Sequence, residues 1–449
     1  MKKISILAVT CLMTLSTWSQ GPVINVEGGR LQGVASTQSG VTVYKGVPYA
    51  APPVGDLRWK RPKPVKKWKG VKIADTFGGI CPQPGSKPGT FYYKEFYWKD
   101  HPTQTEDCLY LNVWAPTASV GNTSAKLPVA VWIHGGAYMN GYGNEITMGG
   151  EAWARRGVIL VTINYRLGIF GFLCHPELSA ENADHTSGNY GTYDQVAAIK
   201  WVHDNIAQFG GNPDNITVFG QSAGAASVKN LVSSQLSRGY IKHAIIQSGG
   251  GLGKFIDTDK ANADVDRAGK EFMEKNGLTS LKAMRAATSD QLLDMEEKAG
   301  FSSMGLFSPH TDGTLLTESF DASAMNNHLA DADFMIGQTM DDIMPMSKQL
   351  DAFCYLRDSL NHRPAYQYFF ARKLPGTKDG AFHSSELWYM FDTLGSSWRP
   401  MTPADYSLAE KMTDYWTNFA KYGDPNGQGK ETWHPFTLGN PFVETFNVE

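Results

Sequence analysis

Between Val129 and Gly249 the chain alternates short apolar runs with stretches of helical period, and few folds accommodate that alternation. Val129–Ile133 ends at His134-Gly135-Gly136, Gly157–Ile163 at Asn164-Tyr165-Arg166, Ile216–Phe219 at Gly220, and Ala244–Ile246 at Gln247-Ser248-Gly249. These runs are nearly continuous in apolar residues, the pattern of strands covered on both faces. Asp194 to Phe209 instead spaces Val196, Ile199, Trp201, Val202 and Ile206 among polar neighbours, which predicts an amphipathic helix. Strand, helix and strand in succession predict an α/β fold with a mostly parallel central sheet flanked by helices. Ligands of such sheets collect beyond the carboxyl ends of the strands. Val23 to Lys60 reads as an antiparallel edge leading into the sheet, and Asp257 to Phe307 as a helical cap or excursion.

The 449 residues are 42% hydrophobic and 19% charged, the balance of a core-forming chain, and the motifs run through it in an order that suits one large domain. With a net charge of -3 and no long Lys/Arg run, a nucleic-acid partner is not indicated. Residues 1–19 have the parts of a signal peptide: Lys2 and Lys3, an apolar stretch from Ile4 to Leu15, then Thr17 and Ser19 before a cut after Ser19. That stretch is too short for a membrane span, and no later window is long and apolar enough, so we expect a secreted or periplasmic chain comprising residues 20–449. Four cysteines then remain, and Cys81 with Cys108 would close a loop that begins on a Pro-rich turn. No metal-ligand spacing is present.

Gly220-Gln221-Ser222-Ala223-Gly224 fits G-x-S-x-G directly after a strand and before a small-residue helix start. In that turn a serine is held in a strained conformation that presents its hydroxyl as a nucleophile. Acyl transfer through such a serine needs backbone N–H groups for the oxyanion, and His134-Gly135-Gly136-Ala137 supplies the turn; Gly136, Ala137 and Ala223 are the donors expected. Chain order in this class of site runs serine, acid, histidine. Of the histidines beyond the Asp341-Asp342 pair, namely His362, His383 and His434, His383 follows a polar turn after the strand-like Tyr366–Phe370 and is the expected base. The acid falls on Asp341 or Asp342, after the strand that begins at Asp333. Adjacent residues point in different directions, so only one faces the base and the other caps a helix or is solvated. Asp312, before Gly313, reads as a turn.

Further motifs extend the pattern: Glu106-Asp107-Cys108-Leu109-Tyr110-Leu111-Asn112-Val113-Trp114, Phe209-Gly210-Gly211-Asn212-Pro213, Gly380-Ala381-Phe382-His383 with Glu386, and Asp424-Pro425-Asn426. With them, roughly residues 22 to 440 resemble the type B carboxylesterases, a family of α/β-hydrolase fold that includes bacterial esterases, cholinesterases and the non-enzymatic neuroligins. The resemblance implies a serine carboxylic-ester hydrolase with Ser222 as nucleophile, His383 as base and Asp342 as acid, a small-molecule ester as substrate, and no cofactor or metal. It also implies that Ser248 stands close behind the triad and that Cys81 and Cys108 form a disulfide. The loop between these cysteines holds Phe91, Tyr92, Tyr93, Phe96, Tyr97 and Trp98, and in cholinesterases a choline-binding tryptophan occupies a similar place, which makes Trp98 the candidate at the substrate rim; the alternative is that these rings only pack. Only 41 positions separate Asp342 from His383, so the helical cap is expected to be reduced and the site open. A neuroligin-like binding module is the alternative, and it is the less suited because those proteins lack the nucleophile kept here.

Overall fold

The structure is a computed structural model that describes residues 20–99, 101–253, 256, 258–300, 302–427 and 431–448. The expected signal peptide lies outside the described residues. Twelve strands form one sheet: β1 (Gln20–Val26), β2 (Gly29–Ala35), β3 (Val41–Pro48), β4 (Val71–Ile73), β5 (Tyr110–Pro116), β6 (Leu127–Ile133), β7 (Ile159–Ile163), β8 (Gly211–Gln221), β9 (His243–Gln247), β10 (Asp333–Thr339), β11 (Tyr366–Phe370) and β12 (Val443–Phe446). Their order is β1-β2-β3-β5-β7-β6-β8-β9-β10-β11-β12, with β4 beside β2. Along that order every neighbouring pair from β7 to β12 is parallel and every pair from β1 to β7 antiparallel, while the off-path β4 pairs with β2 in parallel.

The period of two in each apolar run divides the core between two faces. Val129, Val131 and Ile133 of β6 pack with Ile199, Val202, Val228 and Leu231, on the face covered by the helices Tyr190–Asn205 and Ala223–Ser233. Ala130 and Trp132 of the same strand pack with Trp153, Trp388, Trp416 and Phe419, the last two on the helix Pro403–Tyr422. That helix starts at a capping box, with Thr402 as N-cap and Pro403 in the first turn, and stops at Gly423 in a left-handed conformation. The region expected as a helical excursion holds the helices Asn262–Lys275, Leu281–Ala286, Ser289–Ala299 and Ser302–Leu306. Among the described residues no helix is long and apolar enough to cross a membrane.

Candidate active site

Beta strand β6 connects onward to β7 on one side, and β8 to β9 on the other, so the chain changes direction between the adjacent β6 and β8. The crevice beyond two such strand ends is where α/β sheets receive ligands. Ser222 stands there, immediately after β8, with φ 58° and ψ -124°. The Ser222 N–H donates to Gln247 O at 2.9 Å, which ties the turn to the end of β9. Gly224 permits the next step: a Cβ there would run into the Ile133 carbonyl, so only glycine lets the helix begin this close to β6.

The turn after β6 faces the serine. A Cβ on Gly135 would lie 3.2 Å from Ser222 Cβ. Gly136 has φ +99°, and its carbonyl accepts the N–H groups of Met139 and Asn140, both at 2.9 Å. Ala137 and Tyr138 follow with φ +57° and +61°, left-handed values that cost energy in residues with a side chain. Among the described residues the N–H groups of Gly136 and Ala137 donate to nothing. Ala223 is the first residue of its helix, where the N–H has no intrahelical acceptor. The three expected oxyanion donors are thus unengaged.

Asp342 follows β10 and His383 lies beyond β11, and the two meet with Nδ1 2.6 Å from Asp342 Oδ1. The other carboxylate oxygen accepts the Thr339 N–H at 3.2 Å and the Thr339 hydroxyl at 3.1 Å, while the Ile343 N–H donates to Oδ1 at 2.8 Å. Burial pushes the Asp342 carboxyl up, but the bond and charge of His383, helped by Ser248 and the Ile343 N–H, outweigh it and hold the group below its ordinary value. The Ser248 hydroxyl has no partner at hydrogen-bond geometry among the described residues, so its help is a matter of nearness. An ionised Asp342 accepts from Nδ1–H and leaves Nε2 as the nitrogen with a free lone pair. Gln221 Nε2 lies 3.1 Å from that nitrogen, and Ser222 Oγ makes no hydrogen bond among the described residues. Catalytic contacts of this kind are commonly long before substrate arrives.

Asp341 caps no helix; it lies at the surface, one of the two alternatives expected for it. Its carboxylate accepts the Ala381 N–H at 2.8 Å and its own N–H donates to Ala381 O at 3.0 Å, clamping the loop that carries His383. Asp312 is a turn residue whose Oδ1 accepts three N–H groups, from Thr314, Leu315 and Leu316. Sequence reasoning missed the state of Glu386: fully buried, with one oxygen unpartnered and the other 3.4 Å from Gln247 Nε2, it is pushed up to about 8 by burial and by the charge of Asp342. A second carboxyl therefore sits behind the first in its neutral form, and its only prior signal was its place three residues after His383.

The loop between the cysteines folds against the histidine loop. Phe91 meets Phe382 edge-on at 4.9 Å, and Tyr92, pushed up to about 12 by burial and by the charges of Asp342 and Glu386, is the loop's phenol nearest the acid. Trp98 is exposed and makes no ring contact among the described residues. Buried Glu95 anchors the loop, accepting from Trp388, Trp398 and Arg399. Cys81 and Cys108, the pair expected to form a disulfide, are both buried free thiols here, and a hydrogen bond between them, with burial, raises the Cys108 thiol. A cleft of about 520 Å³ lined by His203, Arg238, Lys242 and His328 lies at the amino ends of β8 and β9, the wrong end of the sheet for this chemistry.

The fold is that of an α/β hydrolase. The model of the Carboxylesterase family matches residues 20–353 and 346–447, and the chain belongs to that family. It is similar to para-nitrobenzyl esterase of Bacillus subtilis (33% identical, 90% of each chain covered). It is also similar to fumonisin B1 esterase of Sphingopyxis macrogoltabida (31%, covering 92% of this chain and 84% of that one) and to cocaine esterase of Homo sapiens (30%, 97% and 91%). Among solved structures, a Geobacillus stearothermophilus carboxylesterase superposes with a TM-score of 0.81 at 29% identity over 95% of this chain and 96% of that one, and a PNB esterase with 0.79 at 29% over 95% and 96%. The protein is a carboxylic ester hydrolase.

Proposed function

We propose that Ser222 is the nucleophile, His383 the general base and Asp342 the acid that orients it, with Gly136, Ala137 and Ala223 donating to the oxyanion. The observation that carries this reading is the 2.6 Å Asp342–His383 bond beside a strained serine. Ser222 Oγ attacks the ester carbonyl carbon as His383 Nε2 takes its proton; the C–O bond to the alcohol breaks as His383 returns that proton to the leaving oxygen. Water, deprotonated by the same nitrogen, then adds to the acyl carbon; the C–O bond to Ser222 breaks, the proton passes to Ser222 Oγ, and the acid leaves. Export through a leader ending at Ser19, with oxidation of the neighbouring Cys81 and Cys108 thiols afterwards, belongs to the same proposal.

The substrate class we propose is bulky or aryl esters. Exposed Met340, Ile343 and Met344 flank Asp342, and exposed Phe91 and Tyr92 stand by the His383 loop, so apolar surface borders the acid and the base. Two relatives are named for para-nitrobenzyl and cocaine esters. The test is a panel of p-nitrophenyl, hydroxycinnamoyl, choline and acetylated-sugar esters. Hydroxycinnamoyl esters are expected to exceed acetylcholine in kcat/KM. Tyr92→Ala is expected to cost about 1–2 kcal/mol on aryl esters, roughly 5- to 30-fold, through lost contact area, and Trp98→Ala less. A preference for choline esters, or a Tyr92→Ala variant unchanged on every aryl ester, contradicts the substrate reading.

A further inference from the structure

We propose that a cavity on the flank of the nucleophile helix binds a carboxylate carried on a short apolar body. The helix that starts at Ala223 carries Ala226 about 6 Å down the axis from Ser222, and Lys229 and Asn230 about 10 Å and about 12 Å down it. All three line a cavity of about 260 Å³ together with Phe320, Asp321 and Met325.

The polar groups on this wall are mismatched in one direction. Lys229, 6% exposed, donates a single hydrogen bond, 2.7 Å to Gly251 O, and stands 4.6 Å over the Phe320 ring, so two of its three donors are idle. The side-chain amide of Asn230, 5% exposed, makes no hydrogen bond among the described residues, and its Nδ2 is fully buried. Native proteins rarely leave such a donor unmatched. On the acceptor side, Asp321 Oδ2 already takes the Gly253 N–H at 2.8 Å and its charge offsets the lysine; Asp259, the other acid on the wall, has a partner of its own. What the cavity lacks is therefore an acceptor anion with two oxygens, and the flanking Ala226, Phe320 and Met325 cover an apolar body rather than a bare ion. Burial pulls the Lys229 ammonium down to about 8, and a carboxylate partner offsets that burial.

Two sources share this chemistry: the acid that ester hydrolysis releases, and a second, free carboxylate on the acyl group of a substrate. Binding itself does not depend on the catalytic assignment, so it is tested first on the full chain carrying Ser222→Ala. Hexanoate is expected to raise its melting temperature saturably by about 1–2 °C, with hexylamine giving no rise. Adding Lys229→Met or Asn230→Leu is expected to abolish the rise without lowering the melting temperature in buffer alone, since each removes an unmatched buried donor. No response to hexanoate, the same response in both variants, or an equal response to hexylamine overturns the proposal, whatever the fate of the triad. With Ser222 intact, hydrolysis of mono-4-nitrophenyl adipate is then compared with that of 4-nitrophenyl hexanoate. A roughly 10-fold loss confined to the hemiester in Lys229→Met assigns the carboxylate to the substrate. An unchanged ratio with weakened hexanoate inhibition assigns it to the released acid. Neither change overturns a role in turnover.

Discussion

Asp342→Asn is expected to lower kcat by about four orders of magnitude, and Asp341→Asn by less than about tenfold, with both variants folded. The difference follows from which oxygen each backbone group holds. In Asp342 one oxygen receives two donors from Thr339, while the other receives the Ile343 N–H and the His383 ring. A carboxamide settles with its carbonyl oxygen at the pair of Thr339 donors and turns its NH2 toward the histidine. The ring then accepts at Nδ1 and carries its proton on Nε2, so it has no lone pair with which to deprotonate Ser222. At position 341 the carboxylate takes the Ala381 N–H, and an asparagine oxygen serves that bond equally well. Steady-state kinetics on a p-nitrophenyl ester, with circular dichroism of each variant, decide the matter; equal losses at the two positions contradict the assignment.

Glu145, Glu296 and Glu386 are expected to contribute a fall in stability as pH rises from about 5 to about 8, opposed below about pH 6.5 by His134, which burial lowers to about 4, and Glu386→Gln to flatten that fall. Glu145 and Glu296 are both pushed up to about 7, and Glu386 to about 8, by burial first of all, against 4.5 for an exposed carboxyl. Between the unfolded and folded values the unfolded chain has released a proton that the folded chain still holds, so unfolding is favoured as pH rises. Each group in this state contributes a slope of about 1.4 kcal/mol per pH unit. Asp342, held below its ordinary value, acts in the opposite sense and only at pH below about 4: its contribution is present above the unfolded value and is lost on acidification. Glutamine has the shape and charge of the protonated Glu386 and removes the longest of the three windows. Urea unfolding at pH 5, 6.5 and 8 measures it, and a variant with the parent's pH slope contradicts a neutral Glu386.

The parts of this molecule readable from sequence were those written locally. The continuous apolar runs gave β6, β8, β9 and β10, and the glycines around Ser222 gave the turn, because each depends on residues within a few positions of one another. The glycine turn after β6 was legible for the same reason. The choice between Asp341 and Asp342 was not, since it depends on how the chain leaves β10 and on Ala381 and His383, 40 and 41 residues away. Resemblance to a family supplied it. The aromatic loop was read as a loop of rings, but its register turns on Glu95 engaging Trp388 and Arg399 across 293 and 304 residues, beyond any local signal. That anchor fixes a π-helical turn from Tyr93 to Tyr97 and leaves Phe91 and Tyr92, rather than Trp98, toward the histidine loop. Likewise the Pro-rich start of the loop and the family resemblance put Cys81 beside Cys108, and whether the two thiols oxidise depends on the compartment rather than on local sequence.

The central claim is that Ser222 is the group that becomes acylated, and covalent capture measures this most directly. Incubation with a fluorophosphonate ester, followed by mass spectrometry of the peptides, is expected to find one equivalent on Ser222. Residual esterase activity should fall in proportion to labelling, and Ser222→Ala should take no label and show no turnover above background. One equivalent on a different residue, or full esterase activity in the Ser222→Ala protein, would contradict the account.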